Sequence, residues 1–301
     1  MLRSVLAKIR RRQSPTSRAL SSTSYWTGHN VTFHRRFASA EESLRYFHWR
    51  NDQYFGYLDL MPVAGQDGKR VLDYGCGPGN DLVGFGVYSK PSVLVGMDVS
   101  SSSLAQARER VALHGIEARL MKIDEVATTL PLESGSIDYV HSSGVLHHVP
   151  DPLAVMREFK RILAPGGAVR VMVYNYDSLW MHLYVNYVLR IDRGLYPELD
   201  SRAAFSRSTD GPDCPISNVY QPAEFLALAR AAGLAGEFVG AAVSCIEADY
   251  LPGRFKAMQF EALPDDSRKF LQALEIDKQG LPRYNGTYAG VDGVYLLSSG
   301  S

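Results

Sequence analysis

Residues 71–80, VLDYGCGPGN, limit what this chain can fold into more than any other stretch. An apolar run suited to a buried strand passes directly into a turn holding Gly75, Gly77, Pro78 and Gly79. Glycine is needed where the backbone enters φ > 0, or where a ligand must approach the main chain closely. The dinucleotide fingerprint G-x-G-x-x-G would put a glycine at position 80, and the chain has Asn80 there. This spacing argues against a pyrophosphate seated on the following helix. It leaves room for a cofactor without phosphates, lying across the turn.

Around that turn, strand and helix patterns alternate. Strands are expected at 70–74, 92–99, 118–124, 137–142 and 168–175, and helices at 81–90, 101–115 and 152–163. Serines 101–103 open the second of these helices and Gly115 closes it; in the third, Leu153, Met156, Phe159 and Leu163 recur at helical spacing before PGG ends it. A further helix is expected at 222–231, a sixth strand in EFVGAAVS and a seventh in GVDGVYLLSS. Such alternation builds parallel βαβ units, whose ligands bind outside the carboxyl ends of the strands.

Charge and cysteine content narrow the classes further. Lys plus Arg equals Asp plus Glu at 32 each, so no global basic field favours nucleic acid. Three scattered cysteines support neither a disulfide framework nor a zinc site, and His29 and His34 have no carboxylate placed between them to make a metal site. No apolar run approaches the roughly 18 residues of a spanning helix. The first forty residues hold eight Lys or Arg and seven Ser but no Asp or Glu. They read either as a basic tail on a cytoplasmic protein or as an import signal, which would place the protein in the mitochondrial matrix.

Acidic residues follow the turn at telling places. Asp98 ends the second strand, 19 residues after Gly79, and can accept from two vicinal hydroxyls or cap the next helix. Asp124 closes the third strand as an acceptor for an amino group or as a solvated loop acid. Together VLDYGCGPG, Asp98, KIDEVATTLPLESGSIDYV, VLHHVPDP and LAPGGAVRV, in this order over about 69–175, resemble the class I S-adenosylmethionine-dependent methyltransferases. Among these the chain is most similar to small-molecule enzymes related to quinone and sterol methyltransferases.

The resemblance implies an α/β, Rossmann-like, doubly wound sheet of seven strands, six parallel and the seventh antiparallel. It implies a basic segment and helical lid over 1–60, a cofactor-binding domain over 61–301, and acceptor-pocket inserts at 176–219 and 247–289. It also implies S-adenosylmethionine as cofactor and a small-molecule acceptor. Gly75, Cys76, Gly77 and Gly79 would bring the main chain to the methionine part of the cofactor, with Asp73 near its ammonium. Asp98 would hold the ribose, Met97 and Val99 would flank the adenine, and Asp124 would take its amino group, with Ile123 and Glu125 beside it. Ser142 would lie beneath the sulfonium. Arg50 or Tyr54, in the lid, would reach the cofactor carboxylate, unless that segment only docks on the sheet.

No invariable catalytic residue comes with the family, so a base has to be found in this chain. His147 and His148 lie past the fourth strand, and one of them, with His148 preferred, would take the proton of an acceptor hydroxyl unless both rings only shape the loop. Tyr174 and Tyr176 would orient the acceptor. The expected reaction is transfer to oxygen, with nitrogen or carbon as alternatives. The Asn/Asp-Pro-Pro-aromatic motif of nucleic-acid amino-methylating enzymes is replaced here by SSGVLHH. The remaining rival is a binding protein that keeps the cofactor site without turnover.

Overall fold

The computed structural model describes residues 21–30, 32, 35–126 and 129–299; His34 and residues 1–20, which hold most of the basic tail, lie outside them. The described chain begins with two serine-capped helices. Ser21 accepts from the Ser24 N–H to cap α1 (Ser22–Gly28), and Ser39 accepts from Glu42 to cap α2 (Ala40–Asn51). Glu41 and Glu42 place negative charge at the positive end of α2. A two-residue strand, β1 (Tyr54–Phe55), and a single turn, α3 (Tyr57–Leu60), lead into the core.

The core then alternates: β2 (Arg70–Tyr74), α4 (Asn80–Tyr88), β3 (Val93–Asp98), α5 (Ser101–Leu113), β4 (Arg119–Lys122), β5 (Ile137–Ser143), α6 (Pro152–Ile162) and β6 (Leu163–Tyr174). The first insert holds a π-helix, Trp180–Asp192, and α7 (Ser201–Phe205); α8 (Pro222–Ala231) and β7 (Leu234–Ser244) follow. The second insert holds α9 (Cys245–Tyr250), α10 (Arg254–Ala257), α11 (Asp265–Gln272) and a small antiparallel sheet of β8 (Glu275–Ile276), β9 (Pro282–Tyr284) and β10 (Thr287–Tyr288). β11 (Asp292–Ser299) completes the main sheet.

The main sheet runs β1-β7-β11-β6-β5-β2-β3-β4. β4, β3, β2, β5 and β6 pair in parallel, and β11 runs antiparallel to both β6 and β7, so β7 shares the direction of the other five. Six aligned strands and one reversed strand match the expectation. The count of seven is corrected to eight, because Tyr54 and Phe55 pair antiparallel with Ser244 and Val243 along the free edge of β7. Tyr54 therefore sits on a strand rather than on the lid helix. Two residues are too few to show a period of two, and covering the edge is what makes them a strand.

Both faces of the sheet are closed by apolar packing. Phe159 of α6 and Phe225 of α8 pack with Leu72, Val140 and Val171 on one side; Phe47 of α2, Phe85 of α4 and Val111 of α5 pack with Val71 and Leu94 on the other. The inserts have cores of their own, with Leu183 of the π-helix against Phe270 of α11 and Val185 against Phe205 of α7. Glu247 ties these layers to the sheet by accepting from the N–H groups of Ser244, Val291 and Trp180. The carboxyl ends of β2, β3, β5 and β6 thus open beneath α1, α2 and the first insert.

Candidate functional site

The glycine turn is pinned before it can hold anything. The N–H groups of Gly75 and Cys76 both donate to the Met97 carbonyl, which fixes the turn to the end of β3. Gly75 has φ 78°, and a Cβ there would meet Val145 at 2.2 Å. Gly79 has φ 78°, and a Cβ would press on Ala107 of α5 at 3.1 Å. Gly77, at φ 51°, differs: a Cβ would have nothing within 4 Å, so its main chain borders open space. Cys76 contributes backbone only, because its thiol packs into the core beside Leu82 and Leu94.

Asp98 is bound to this turn. Its Oδ2 accepts from the Gly77 N–H at 2.9 Å and its Oδ1 from the Ser100 N–H at 2.7 Å, which leaves further lone pairs on both oxygens. Burial pushes its carboxyl up, and the N–H groups of Ser100, Gly77 and Val99 oppose the shift. Asp73, one strand away, is buried, and its Oδ2 has no hydrogen-bond partner among the described residues. Burial, with Asp81 and Asp98 nearby, raises it well above the usual carboxylate range, while Arg50 pulls the other way. Asp81 is instead paired with His141 at 3.3 Å.

Arg50 reaches this cluster from the last turn of α2. Its guanidinium lies 5.1 Å over the Tyr57 ring and donates to Asn51 Oδ1 at 2.9 Å. Burial works against its charge, but Tyr57 and Asp81 outweigh that and hold it protonated. A buried carboxylate without a donor, a guanidinium with donors to spare and open space over Gly77 fit the ammonium, carboxylate and chain of a methionine group.

The adenine side is only partly as expected. Val99 and Ile123 pack with the first core cluster behind the strand ends. Asp124 is exposed and accepts from the Val126 N–H at 3.1 Å, so it caps its own turn. Glu125 accepts from the Thr23 N–H of α1, Ser102 Oγ donates to the Thr27 carbonyl, and Asn30 donates to Gln106. The first described helix is therefore strapped across the ends of β3 and β4.

On the acceptor side the neighbouring histidines separate. His147 is fully buried, lies 3.9 Å from the Tyr174 ring, and neither ring nitrogen has a hydrogen-bond partner among the described residues. Burial drives it well below its ordinary pKa, so it is a neutral packing ring. His148 has Nδ1 2.6 Å from the Ile216 carbonyl and Nε2 3.5 Å from Asp210 Oδ2. Burial lowers its pKa, opposed by Asp210 and by the Ile216 carbonyl. Asp210 Oδ2 also accepts from the Tyr174 hydroxyl at 2.9 Å and from Thr209. The same α1 closes this end: Tyr25 donates to the Asp210 carbonyl, and Trp26 lies 4.8 Å from the His148 ring.

Tyr57 and Ser143 share a hydrogen bond at the end of β5, and the buried Ser142 Oγ beside them is unpartnered among the described residues. Tyr54 lies 5.9 Å from Tyr57. Tyr176 turns away: its hydroxyl donates to Asp266 at 2.6 Å and its ring packs on His182 in the inserts. Among the described residues, two clusters gather potential metal donors within 4.8 Å, His148 with Asp210 and Cys214, and Asp73 with Asp81 and His141.

Asp210, Trp26 and Tyr57 were not singled out from the sequence. Asp210 lies in a turn-rich stretch where only the fold shows that it faces β5 and β6. The run of aromatic residues around α1 and α2 was visible, but Trp26 meets His148, Tyr57 meets Ser143 and Tyr25 meets Asp210, each more than eighty residues away.

The family model for a methyltransferase domain matches residues 46–237. Over 210 residues the chain is 31% identical to the ubiquinone biosynthesis O-methyltransferase of Bordetella bronchiseptica, covering 66% of this chain and 75% of that one. A 37.1 kDa protein from a Streptomyces fradiae transposon is 38% identical over 152 residues, which make up 50% of this chain but only 38% of that relative. Among solved structures, one from the Haloferax volcanii complex of a methyltransferase with a methyltransferase activator superposes with a TM-score of 0.51. It is 18% identical and the match covers 87% of this chain and 96% of that one, a likeness of fold.

Proposed function

This chain belongs to the methyltransferase-domain family of class I S-adenosylmethionine-dependent enzymes, and from that premise we propose that it methylates a hydroxyl oxygen of a small molecule, with His148 as the base. The observation that carries the choice of His148 is its hydrogen-bond surround. In the neutral ring, Nδ1–H donates to Ile216 and Nε2 keeps a lone pair. Once Nε2 takes a proton, the Asp210 carboxylate 3.5 Å away stabilises the imidazolium by its charge while Nδ1–H stays on Ile216. His147 offers no such surround.

When bound, the cofactor supplies an activated methyl group, and the protein's work is to hold, orient and dehydrate the reactants. Asp73 would take the ammonium, Arg50 the carboxylate and Asp98 the ribose hydroxyls, with the Gly77 main chain beneath. Tyr174, held by Asp210 and packed against His147, fixes the wall on which the acceptor rests. α1 closes the cleft from Glu125 to Asp210 and keeps water from it. Positioning of this kind accounts for about 7 to 11 kcal/mol of a barrier, and a well-placed base adds a factor of about a hundred to ten thousand.

The relatives named as ubiquinone biosynthesis O-methyltransferases support oxygen as the methylated atom, at about 30% identity. The test is turnover of methyl-labelled S-adenosylmethionine against a small-molecule extract, followed by mass spectrometry of the labelled product. An O-methyl product supports the reading; an N-methyl or C-methyl product ends the assignment to oxygen, and cofactor binding without turnover would leave a binding protein.

A further inference from the structure

Between the cofactor cradle and the base lies a carboxylate that neither uses. Asp292 opens β11 opposite Tyr174 of β6 and Ala242 of β7. It is 3% exposed, and its side chain makes no hydrogen bond among the described residues. The phenols of Tyr54, Tyr57 and Tyr174 all lie within its field. Negative charge also reaches it from Glu247 and Asp210, and Arg50 is the cation that acts on it.

Arg50 also serves Asp73 and Asp81, so one guanidinium is shared among three carboxylates. Glu247 is saturated, with bonds from Ser244, Trp180 and Val291. Asp81 has His141, and Asp210 has Tyr174 and Thr209. Of Glu247, Asp81, Asp210 and Asp292, Asp292 is the one whose side chain makes no hydrogen bond among the described residues. A buried carboxylate without a donor is costly unless a partner arrives or it takes up a proton. Burial pushes Asp292 up to about 7, with Arg50 pulling the other way. The charges around it favour a cation, because an anionic acceptor would meet Asp210, Asp292 and Glu247 together.

We infer that the acceptor carries a basic nitrogen, whose ammonium docks on Asp292 among Tyr54, Tyr57 and Tyr174 while another atom of the acceptor meets His148. This rests on reading the site as one for methyl transfer. The pair made by Asp292 and an ammonium is charge-assisted and water-excluded, so it sets acceptor choice rather than cofactor binding.

The test splits an aqueous small-molecule extract on a cation exchanger at neutral pH and offers each pool, with methyl-labelled S-adenosylmethionine, to the full-length protein. Label is expected in the retained pool. With the acceptor so found, Asp292→Asn is expected to lose roughly tenfold to a hundredfold in kcat/KM, mostly through KM, while calorimetric affinity for S-adenosylmethionine stays as in the parent. Label confined to the unretained pool overturns the inference, as does an Asp292→Asn variant with unchanged kcat/KM. Absence of label from both pools, with cofactor binding intact, overturns methyl transfer itself and this inference with it.

Discussion

The two halves of the cleft are built on opposite plans. On the cofactor side, the turn from Gly75 to Gly79 and Asp98 come from one βαβ stretch, and backbone hydrogen bonds hold them, with Asp98 bound by the N–H groups of Gly77 and Ser100. On the acceptor side, Trp26, Tyr57, His148, Asp210 and Asp292 come from five separate segments, brought together by side-chain contacts such as Trp26 on His148 and Tyr174 on Asp210. Apart from Arg50, which α2 brings in, the first half is a fixture that the local chain makes by itself. The second exists only when the helix α1, the first insert and β11 are all in place. Changes on the cofactor side should therefore act on binding alone, and changes on the acceptor side on rate and pH dependence.

The sharpest way to break that contrast is Gly77→Val. A Cβ at position 77 has free space within the protein, so the fold should survive with only the cost of a non-glycine residue at φ 51°, on the order of 1 to 2 kcal/mol. The side chain would fill the space over the turn, and cofactor binding should be abolished in calorimetry while the circular dichroism spectrum is kept. Retained binding in the folded variant would move the methionine group off this turn.

His148→Gln comes next, on the other side. Cofactor affinity should be unchanged and kcat should fall by about a hundredfold to ten thousandfold. The parent should show an acid limb in kcat, rising with pH as the imidazole loses its proton. Because burial lowers the His148 pKa, that limb should lie below the ordinary value of about 6.5. The limb should be absent from the variant, and its persistence there would assign the base elsewhere.

Asp98→Ala tests the cofactor half at smaller scale. Losing one charge-assisted bond to a hydroxyl costs about 1.5 to 3 kcal/mol, roughly tenfold to a hundredfold in affinity. The loss should appear in the dissociation constants for S-adenosylmethionine and its demethylated product alike, since both carry the ribose, with kcat at saturation little changed. Equal affinity in a folded variant would place the ribose away from Asp98.

The same division explains what could be read without coordinates. The parallel core was legible because each strand there ends on a residue with a positional meaning: a glycine where φ is positive, an acid at the end of β3, a proline opening α6. β1 was not legible, since Tyr54 and Phe55 are a strand only because β7 offers an open edge. Asp124 accepts from the Val126 N–H two residues on, a local bond that its strand-end position does not reveal. Tyr176, next to Asn175 at the end of β6, was expected beside the acceptor and instead bonds Asp266 in the second insert. Asp210 and Asp292 carry no local signature at all, because an acid's role there depends on which distant donors it meets or lacks.

The finest probe of the comparison is Asp210→Asn, which leaves the site's shape almost untouched. The amide oxygen can still accept from the Tyr174 hydroxyl and Thr209, so the wall stays in place and only the charge is removed. Asp210 raises the His148 pKa against the lowering effect of burial, so its neutral replacement should let that pKa fall further. The base works when the ring is neutral, and a lower pKa keeps it neutral to more acid pH. The acid limb of kcat should therefore move to lower pH, while the plateau near pH 8 falls only about threefold to tenfold, the worth of one carboxylate beside the imidazolium. A limb that stays where it was, with the same plateau, would make Asp210 a packing residue and leave its charge without a part in the titration of the base.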